Sequence, residues 1–304
     1  MHMPDVLVSP AVAVPGFVAS AAAIGWSCRK AAKEMDDRRI PLMGVLGAFV
    51  FAAQMINLPV LLLPGVSWHL IGGVLMAAML GPYAACVVMA AILVIQALLL
   101  GDGGLLALGC NIFNMGVICC FLGYAIYSAV TSWWAGFSGR AAGVLLAAVA
   151  SSAAAALAAA VEIHLSGRNP VSLASAAWLM GSVHALFGVG EAVLTLAVMA
   201  FVAKARPAAV PERTAAERAA MRKFAIVGLV VSLLIGGVVS FYASEFPDGL
   251  EYAAGKLNWL PAEEDAEAAS FMQNALMGLL TTGFAFAVSL VAASAMSRGR
   301  ASAH

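Results

Sequence analysis

Hydrophobic residues in this chain fall into long runs separated by short polar segments. A helix needs about 20 apolar residues to cross a bilayer. Nine runs reach or approach that length, at residues 8–27, 42–63, 69–80, 82–100, 105–130, 141–163, 174–203, 224–242 and 271–296. The third run is short, and the Gly81-Pro82 step ends it because proline cannot continue a helix. The pattern predicts an all-α polytopic transmembrane helical bundle of about nine spans, with the third run a tilted span or a half-helix.

Composition supports a membrane protein. Of the 304 residues, 63% are hydrophobic and 11% are charged, whereas soluble domains carry about 25% charged residues. So much apolar surface favours a fold that faces lipid. The formal net charge is zero, and no basic stripe with interleaved aromatic residues is present, which argues against a nucleic-acid partner.

The charges of the polar segments predict an orientation, because basic loops stay in the cytoplasm. The loop after the first run, the linker after the seventh run and the C-terminal tail are basic, whereas the loop after the eighth run is acidic. Nine spans satisfy all four assignments. We therefore expect a multi-pass protein of a bacterial-type cytoplasmic membrane, with the N-terminus outside and the C-terminus in the cytoplasm.

The N-terminal sequence Met1-His2-Met3-Pro4-Asp5 lacks the basic region of a secretory signal. We expect these residues to remain in the mature protein. His2 is too bulky for ordinary removal of the initiator methionine, so Met1 is expected to stay.

A retained Met1-His2 terminus outside the membrane is a potential chelator. The α-amine, the His2 amide nitrogen and His2 Nδ1 can close a five-membered and a six-membered ring on one ion, and nitrogen donors suit late transition metals. The nine-span topology places His69 and the loop at 101–104 on the same face, so His69 could add a second imidazole. A histidine at a helix end is more often a cap or an interfacial residue, and that alternative stays open.

Several longer motifs are more specific. The sequence resembles the substrate-capture component of cobalt/nickel energy-coupling-factor transporters, the CbiM/NikM family, over about its first 200 residues. The matching stretches are MHMPD at 1–5, PLMGVLGAFVFAAQMIN at 41–57, HLIGG at 69–73, LGP at 80–82, QALLLGDGGLLALGCNIFNM at 96–115 and HALFGVGE at 184–191. PDGLE at 247–251 resembles a two-span module that often accompanies this family. We predict a capture domain at 1–205, a cytoplasmic linker at 206–223 and a PDGLE-like module at 224–304, that is, seven spans plus a two-span hairpin.

The resemblance implies that Met1, through its amine, His2 and His69 hold cobalt or nickel as a transported substrate, with no organic cofactor. It also implies a transmembrane coupling protein and two ATPase subunits as partners. This chain has no phosphate-binding loop and no motif of an enzyme acting alone. The GCNIFNM block looks closest to relatives linked to cobalamin synthesis, which favours cobalt, whereas nitrogen donors favour nickel. Trp68, where a glycine is common, leaves the metal preference open.

Other polar residues have two interpretations each. Asp102 in the glycine-rich turn, Asp5 and Ser67 are candidates for orienting the ligands, although Asp102 also suits an ordinary turn. The remaining candidates lie within apolar runs.

Asn111 and Asn114 share a helix face and either position the N-terminal segment or lock helices together. His184 and Glu191 share a face of the seventh run and form either a structural pair or a coupling element. An alternative function, a stand-alone secondary metal transporter or channel, would use Glu191 and His184 for coupling.

Overall fold

The computed structural model describes residues 2–34, 39–60, 62–168, 170–205, 215–259 and 271–301. Its helices are α1 (Pro10–Glu34), α2 (Ile40–Gln54), α3 (Gly73–Leu80), α4 (Pro82–Ile95), α5 (Leu108–Asn111), α6 (Cys119–Trp133), α7 (Gly136–Leu165), α8 (Leu173–Ala205), α9 (Ala215–Gly237), α10 (Gly249–Leu257) and α11 (Phe271–Ala301). Between α2 and α3, strands β1 (Leu58–Pro59) and β2 (Ser67–Trp68) form a two-residue antiparallel hairpin. The all-α bundle is therefore confirmed.

Fewer helices of membrane length are present among the described residues than the nine spans predicted. Within the described ranges, seven helices are long and apolar enough to cross a membrane, at Pro10–Glu34, Pro82–Leu100, Leu108–Trp133, Gly136–Leu165, Leu173–Lys204, Ala219–Gly237 and Ala275–Arg298. The second predicted run ends as a helix at Gln54, because Leu58 and Pro59 turn into the hairpin. The third is an eight-residue helix that ends before Gly81, as the half-helix alternative expected.

The two short apolar helices lie inside the bundle. Twelve of the 15 residues of α2 are buried. Helix α11 packs on its glycine face, where a Cβ on Gly47 would lie 2.8 Å from Ser289 Cβ. Helix α9 also contacts α2. Their hydrophobicity therefore reflects burial within protein rather than contact with lipid, a distinction that sequence hydropathy does not make.

Two π-helical segments interrupt the bundle near its polar residues. One continues α4 over Gln96–Leu100 and ends at Gly101, which has a left-handed backbone. The other joins α5 to α6 over Ile112–Ile118. Since π-helical turns are frequent at functional sites, they direct attention to the loop between them.

Helix α9 begins at Ala215, inside the stretch predicted as a linker at 206–223. The first part of that predicted linker, 206–214, lies outside the described residues. Beyond α9 a 3-10 turn, Val239–Tyr242, leads toward α10. The loop predicted between the last two spans thus contains a short helix that the hydropathy pattern does not reveal.

Candidate metal-capture site

The N-terminal arm is held by its backbone. Met3 is fully buried. Its N–H donates to Asn111 Oδ1 at 2.9 Å, and its carbonyl accepts from Asn111 Nδ2 at 3.1 Å. The same carbonyl accepts from Gly104 N at 2.9 Å. Asp5 Oδ1 adds a bond from Ala107 N at 3.0 Å. These contacts fix the backbone on which His2 sits.

Glycines let the arm approach the loop after α4. Gly103 has φ +80°, and a Cβ on it would lie 3.2 Å from His2 Cβ and 2.9 Å from Asn111 Nδ2. A Cβ on Gly104 would collide with Asp5. A side chain at either position would displace the arm. Steric crowding therefore explains why glycine occupies both positions of this loop.

The central feature of the site is a pair of imidazole rings. His2 and His69 stack with centroids 5.3 Å apart and an interplanar angle of 11°. His2 Nδ1 lies 3.1 Å from Asp102 Oδ1, and its buried Nε2 has no hydrogen-bond partner. An unsatisfied buried nitrogen is costly in a purely structural histidine. If His2 binds the ion through Nδ1, this nitrogen must give up its contact with Asp102.

Asp102 stays ionised beside His2. Burial raises the pKa of this carboxyl, but the charge and hydrogen bond of His2 outweigh that effect and lower the pKa to about 2. The anionic carboxylate can therefore orient the ring or compete for it over the whole neutral range.

His69 follows strand β2 and is placed by two neighbours. Its Nδ1 lies 3.3 Å from the Leu70 carbonyl, and its Nε2 lies 3.6 Å from Asp248 Oδ2. Burial lowers the pKa of His69, and the contact with Asp248 offsets this only in part. The ring is thus neutral near pH 7, as a metal ligand must be.

A buried chain of hydrogen bonds connects the two halves of the site. The Asp102 N–H donates to the Gln96 carbonyl at 3.1 Å. Gln96 Nε2 donates to Gln54 Oε1 at 2.8 Å, and Gln54 Nε2 donates to the Ile71 carbonyl at 2.7 Å. The loop that holds His2 and the turn that holds His69 are therefore tied together through α2 and α4.

Glu191 and His184 lie behind His69. Glu191 Oε1 accepts from Gly72 N at 3.1 Å, and Gly72, with φ +81°, immediately precedes α3. His184 Nδ1 lies 2.9 Å from the Met180 carbonyl. Both side chains line a cavity of about 10 Å³, which is near the size needed for one water-sized particle. Its other lining residues are Trp68, His69, Ile71, Phe187, Asp248 and Gly249.

The remaining predicted residues that the structure describes have partners other than the two histidine rings. Asn114 points away from the arm and donates to Glu162 Oε2 at 2.7 Å. Ser67 bonds to the C-terminal module instead of the histidines. Met1 lies outside the described residues. Within the described ranges, no three His, Cys, Asp or Glu side chains converge as a metal site, so a site here also requires backbone or terminal nitrogen.

Sequence reasoning missed Asp248, Gln54 and Gln96. Asp248 caps α10 through a capping box with Glu251, and an Asp followed three residues later by Glu is a readable helix-start signal. The glutamines stand in apolar runs, where a polar side chain needs a partner. Neither signal says which distant residue the side chain meets.

Comparison with known proteins decides the family. The model of the CbiM family, described as a cobalt uptake substrate-specific transmembrane region, matches residues 2–209. This chain belongs to the CbiM family. The PDGLE domain model matches residues 222–284, so this CbiM-family protein is a fusion with a PDGLE module.

Two relatives that are named as fused nickel transport proteins match most of this chain. The putative fused nickel transport protein NikMN of Archaeoglobus fulgidus is 34% identical over 84% of this chain and 83% of its own length. The fused nickel transport protein NikMN of Rhodobacter capsulatus is 30% identical, over 79% and 73%. A crystal structure of a transition metal transporter is 32% identical with a TM-score of 0.59, covering 73% of this chain and 99% of that one. The chain is a cobalt/nickel transport membrane protein of the CbiM/NikM type, and not an enzyme.

Replacing Asn111 by alanine is expected to weaken cobalt or nickel binding by about 10–100-fold, the usual cost of losing a group that positions a ligand. The substitution removes both bonds to the Met3 backbone. Isothermal titration of the purified protein measures the effect. Asn114→Ala is the matched control, since it removes a buried amide that bonds to Glu162. Equal losses of affinity in both variants would contradict a specific role for Asn111.

Proposed function

We propose that this protein is the substrate-binding subunit of an ATP-driven energy-coupling-factor importer of divalent cobalt or nickel. The ion is captured at the external face by the Met1 amine, His2 and His69. The observation that carries the proposal is the buried pair of His2 and His69 rings, 5.3 Å apart, contributed by segments far apart in the sequence. Two imidazoles beside a chain terminus supply the nitrogen-rich donor set that late transition metals prefer.

Ion binding at this site is coupled to protons. The α-amine titrates near 8, and it must lose its proton before it can bind a metal, as must each imidazole. Affinity therefore falls as the pH falls. Because burial lowers the pKa of His69, proton competition at this ring begins at a lower pH than at an ordinary histidine.

The proposed orientation places the site outside a bacterial-type cytoplasmic membrane and the C-terminus in the cytoplasm. In support, the arm with His2, the loop with Asp102, the turn with His69 and the segment with Asp248 lie close together. The basic residues Arg222 and Lys223 lie in the first half of the membrane-length helix α9, whose other end leads toward Asp248.

The proposed architecture is a capture domain at 1–205, a cytoplasmic linker at 206–223 and a PDGLE module at 224–304. The proposed partners are a transmembrane coupling protein and two ATPase subunits. The absence of a phosphate-binding loop from the sequence agrees with hydrolysis of ATP in other chains. The fused relatives are named for nickel, whereas other family members are named for cobalt, so competition between the two ions is the informative test.

The decisive experiment compares this chain alone with the full complex in liposomes. Liposomes that contain this chain alone should bind radiolabelled cobalt or nickel stoichiometrically, without sustained uphill accumulation. Liposomes that contain the full complex should accumulate the ion only when ATP is present. Uphill accumulation by the lone chain, driven by an ion gradient, would instead support a secondary transporter that uses Glu191 and His184.

A further inference from the structure

The turn that carries His69 is held on both sides of one peptide unit. The Ile71 carbonyl accepts from Gln54 Nε2 at 2.7 Å. The N–H of the next residue, Gly72, donates to Glu191 Oε1 at 3.1 Å. The C=O and N–H of a trans peptide point in opposite directions, so α2 and α8 hold the same unit from two sides. Because this unit lies two residues after His69, it restricts the backbone that places the ring.

Gln54 stands on a firmly packed support. It is the last residue of α2, a helix that contacts α9 and α11. The turn lies directly on this helix, since a Cβ on Gly72 would come within 2.5 Å of Val50 Cγ1. A polar group on a packed helix is held more precisely than one on a loop. The end of α2 is therefore a fixed reference point for the His69 turn.

Gln96 connects the same reference point to the loop after α4. It begins the π-helical segment that continues α4. Its carbonyl accepts from Asp102 N at 3.1 Å, while its side-chain Nε2 donates to Gln54 Oε1 at 2.8 Å. Asp102 in turn lies 3.1 Å from His2 Nδ1. The loop beside His2 is thus linked to Gln54 by one residue, and Gln54 links it to the turn of His69.

The Ile71 carbonyl determines the direction of both side-chain amides. A carbonyl only accepts, so Gln54 must present its NH₂ group to Ile71 and its oxygen to Gln96. Gln96 must then present its own NH₂ group to Gln54, which directs the Gln96 oxygen elsewhere. Gln96 is fully buried, and no donor among the described residues reaches that oxygen.

This pair of amides is not explained by stability. A buried acceptor without a donor is costly, and two apolar side chains of similar size would avoid the unpaired Gln96 oxygen. Buried hydrogen bonds instead select one arrangement of the segments that they join, because a shift of either segment breaks them. The pair therefore favours one defined separation of the loop and the turn.

We propose that Gln54 and Gln96 are positioning residues of the capture site. Together they set the separation between the loop beside His2 and the turn that carries His69, and the affinity for the ion depends on that separation. Metal–ligand distances tolerate deviations of only about 0.2 Å, so a small shift of one segment takes one imidazole out of reach. The proposal rests on the proposed function, since it takes His2 and His69 to be ligands.

Methionine substitutions test the proposal, because methionine is close to glutamine in size but makes none of these hydrogen bonds. Gln54→Met and Gln96→Met should each weaken cobalt and nickel binding about 10–100-fold, the usual cost of losing a group that positions a ligand. Each should also change the visible absorption bands of bound Co(II). Competition titration against a chelator and absorption spectroscopy of the full-length protein in detergent provide the measurements.

The double variant Gln54→Met/Gln96→Met separates positioning from stability. Gln54→Met alone leaves the Gln96 amide buried without its partner, so Tm should fall. Adding Gln96→Met removes that amide and should restore part of the lost Tm. Affinity should nevertheless stay low, and the two losses should not add, since both residues act on one geometry. Recovery of affinity together with Tm would show a purely structural role and overturn the inference.

Asn114→Leu is the matched control, since it removes another buried amide, one that bonds to Glu162. It should lower Tm without changing affinity or spectrum, and an equal loss of affinity there would show a general loosening of the bundle and overturn the assignment. If His69→Ala loses binding while the folded double variant keeps the native affinity and spectrum, only this inference fails. If His69→Ala binds as the native chain does, the proposed function fails as well.

Discussion

Replacing His69 by alanine is expected to weaken cobalt or nickel binding more than about 100-fold. This loss exceeds the usual cost, about 10–100-fold, of removing a residue that only hydrogen-bonds to a metal ligand. The ring is buried, and its lowered pKa keeps it neutral near pH 7, the form that binds a metal ion. Removing it takes one of the two imidazoles from the site. Competition titration against a chelator of known affinity provides the measurement.

A second histidine variant makes this test specific. His2→Ala should cause a comparable loss, and the double variant should lose much less than the two losses combined, since residues that act on one ion are not additive. His164→Ala is the control, because His164 is exposed in the last turn of α7. Fully additive losses, or equal loss in the control, would contradict a shared site.

Replacing Glu191 by alanine is expected to lower the free energy of unfolding by about 1–3 kcal/mol, because the buried Gly72 N–H loses its acceptor. The same change should weaken metal binding, since Gly72 belongs to the turn that carries His69. Glu191→Gln keeps a carbonyl oxygen for Gly72 and should preserve both properties closely. Thermal unfolding in detergent and metal titration measure the two effects.

Glu162→Ala controls for the loss of a partly buried carboxylate that accepts a hydrogen bond. Glu162 accepts from Asn114, so its removal should lower stability without a matching loss of affinity. If Glu191→Gln instead binds metal normally but abolishes ion-gradient-driven uptake by the lone chain, Glu191 acts in proton coupling and the structural role is wrong.

The sequence predicted the kind of fold because hydrophobicity reports which residues avoid water. It did not predict the number of spans, because α2 and α3 are as apolar as the membrane-length helices while lying inside the protein. Leu58 and Pro59 continue the apolar run yet form the hairpin with Ser67 and Trp68. Both lipid and a protein interior favour apolar side chains. Hydropathy therefore cannot distinguish a helix that faces lipid from one that is buried in the protein.

The sequence predicted that His2 and His69 lie on the same side of the membrane, because the predicted topology placed both on one face. Their role as ligands stays a prediction. The contact between His69 and Asp248 could not be approached in this way, because it depends on how two modules dock. The capping box at Asp248 was readable as a helix start, but a local motif carries no information about a partner 179 positions away.

Trp68 also shows what local sequence leaves out. Its departure from the family pattern left the metal preference open. In the structure its ring lies against α8, where a Cβ on Gly190 would come within 2.7 Å of it. Trp68 therefore packs between the His69 turn and the helix that carries Glu191, and it lines the cavity behind His69.

The most direct test of metal capture by the N-terminus uses a removable extension. A short peptide before Met1, ending in a protease site that leaves Met1 as the first residue after cleavage, blocks the amine without altering any side chain. Titration with cobalt and with nickel should show no tight binding before cleavage and full binding after it, whereas a C-terminal extension should have no effect. Equal affinity before and after cleavage would contradict the account.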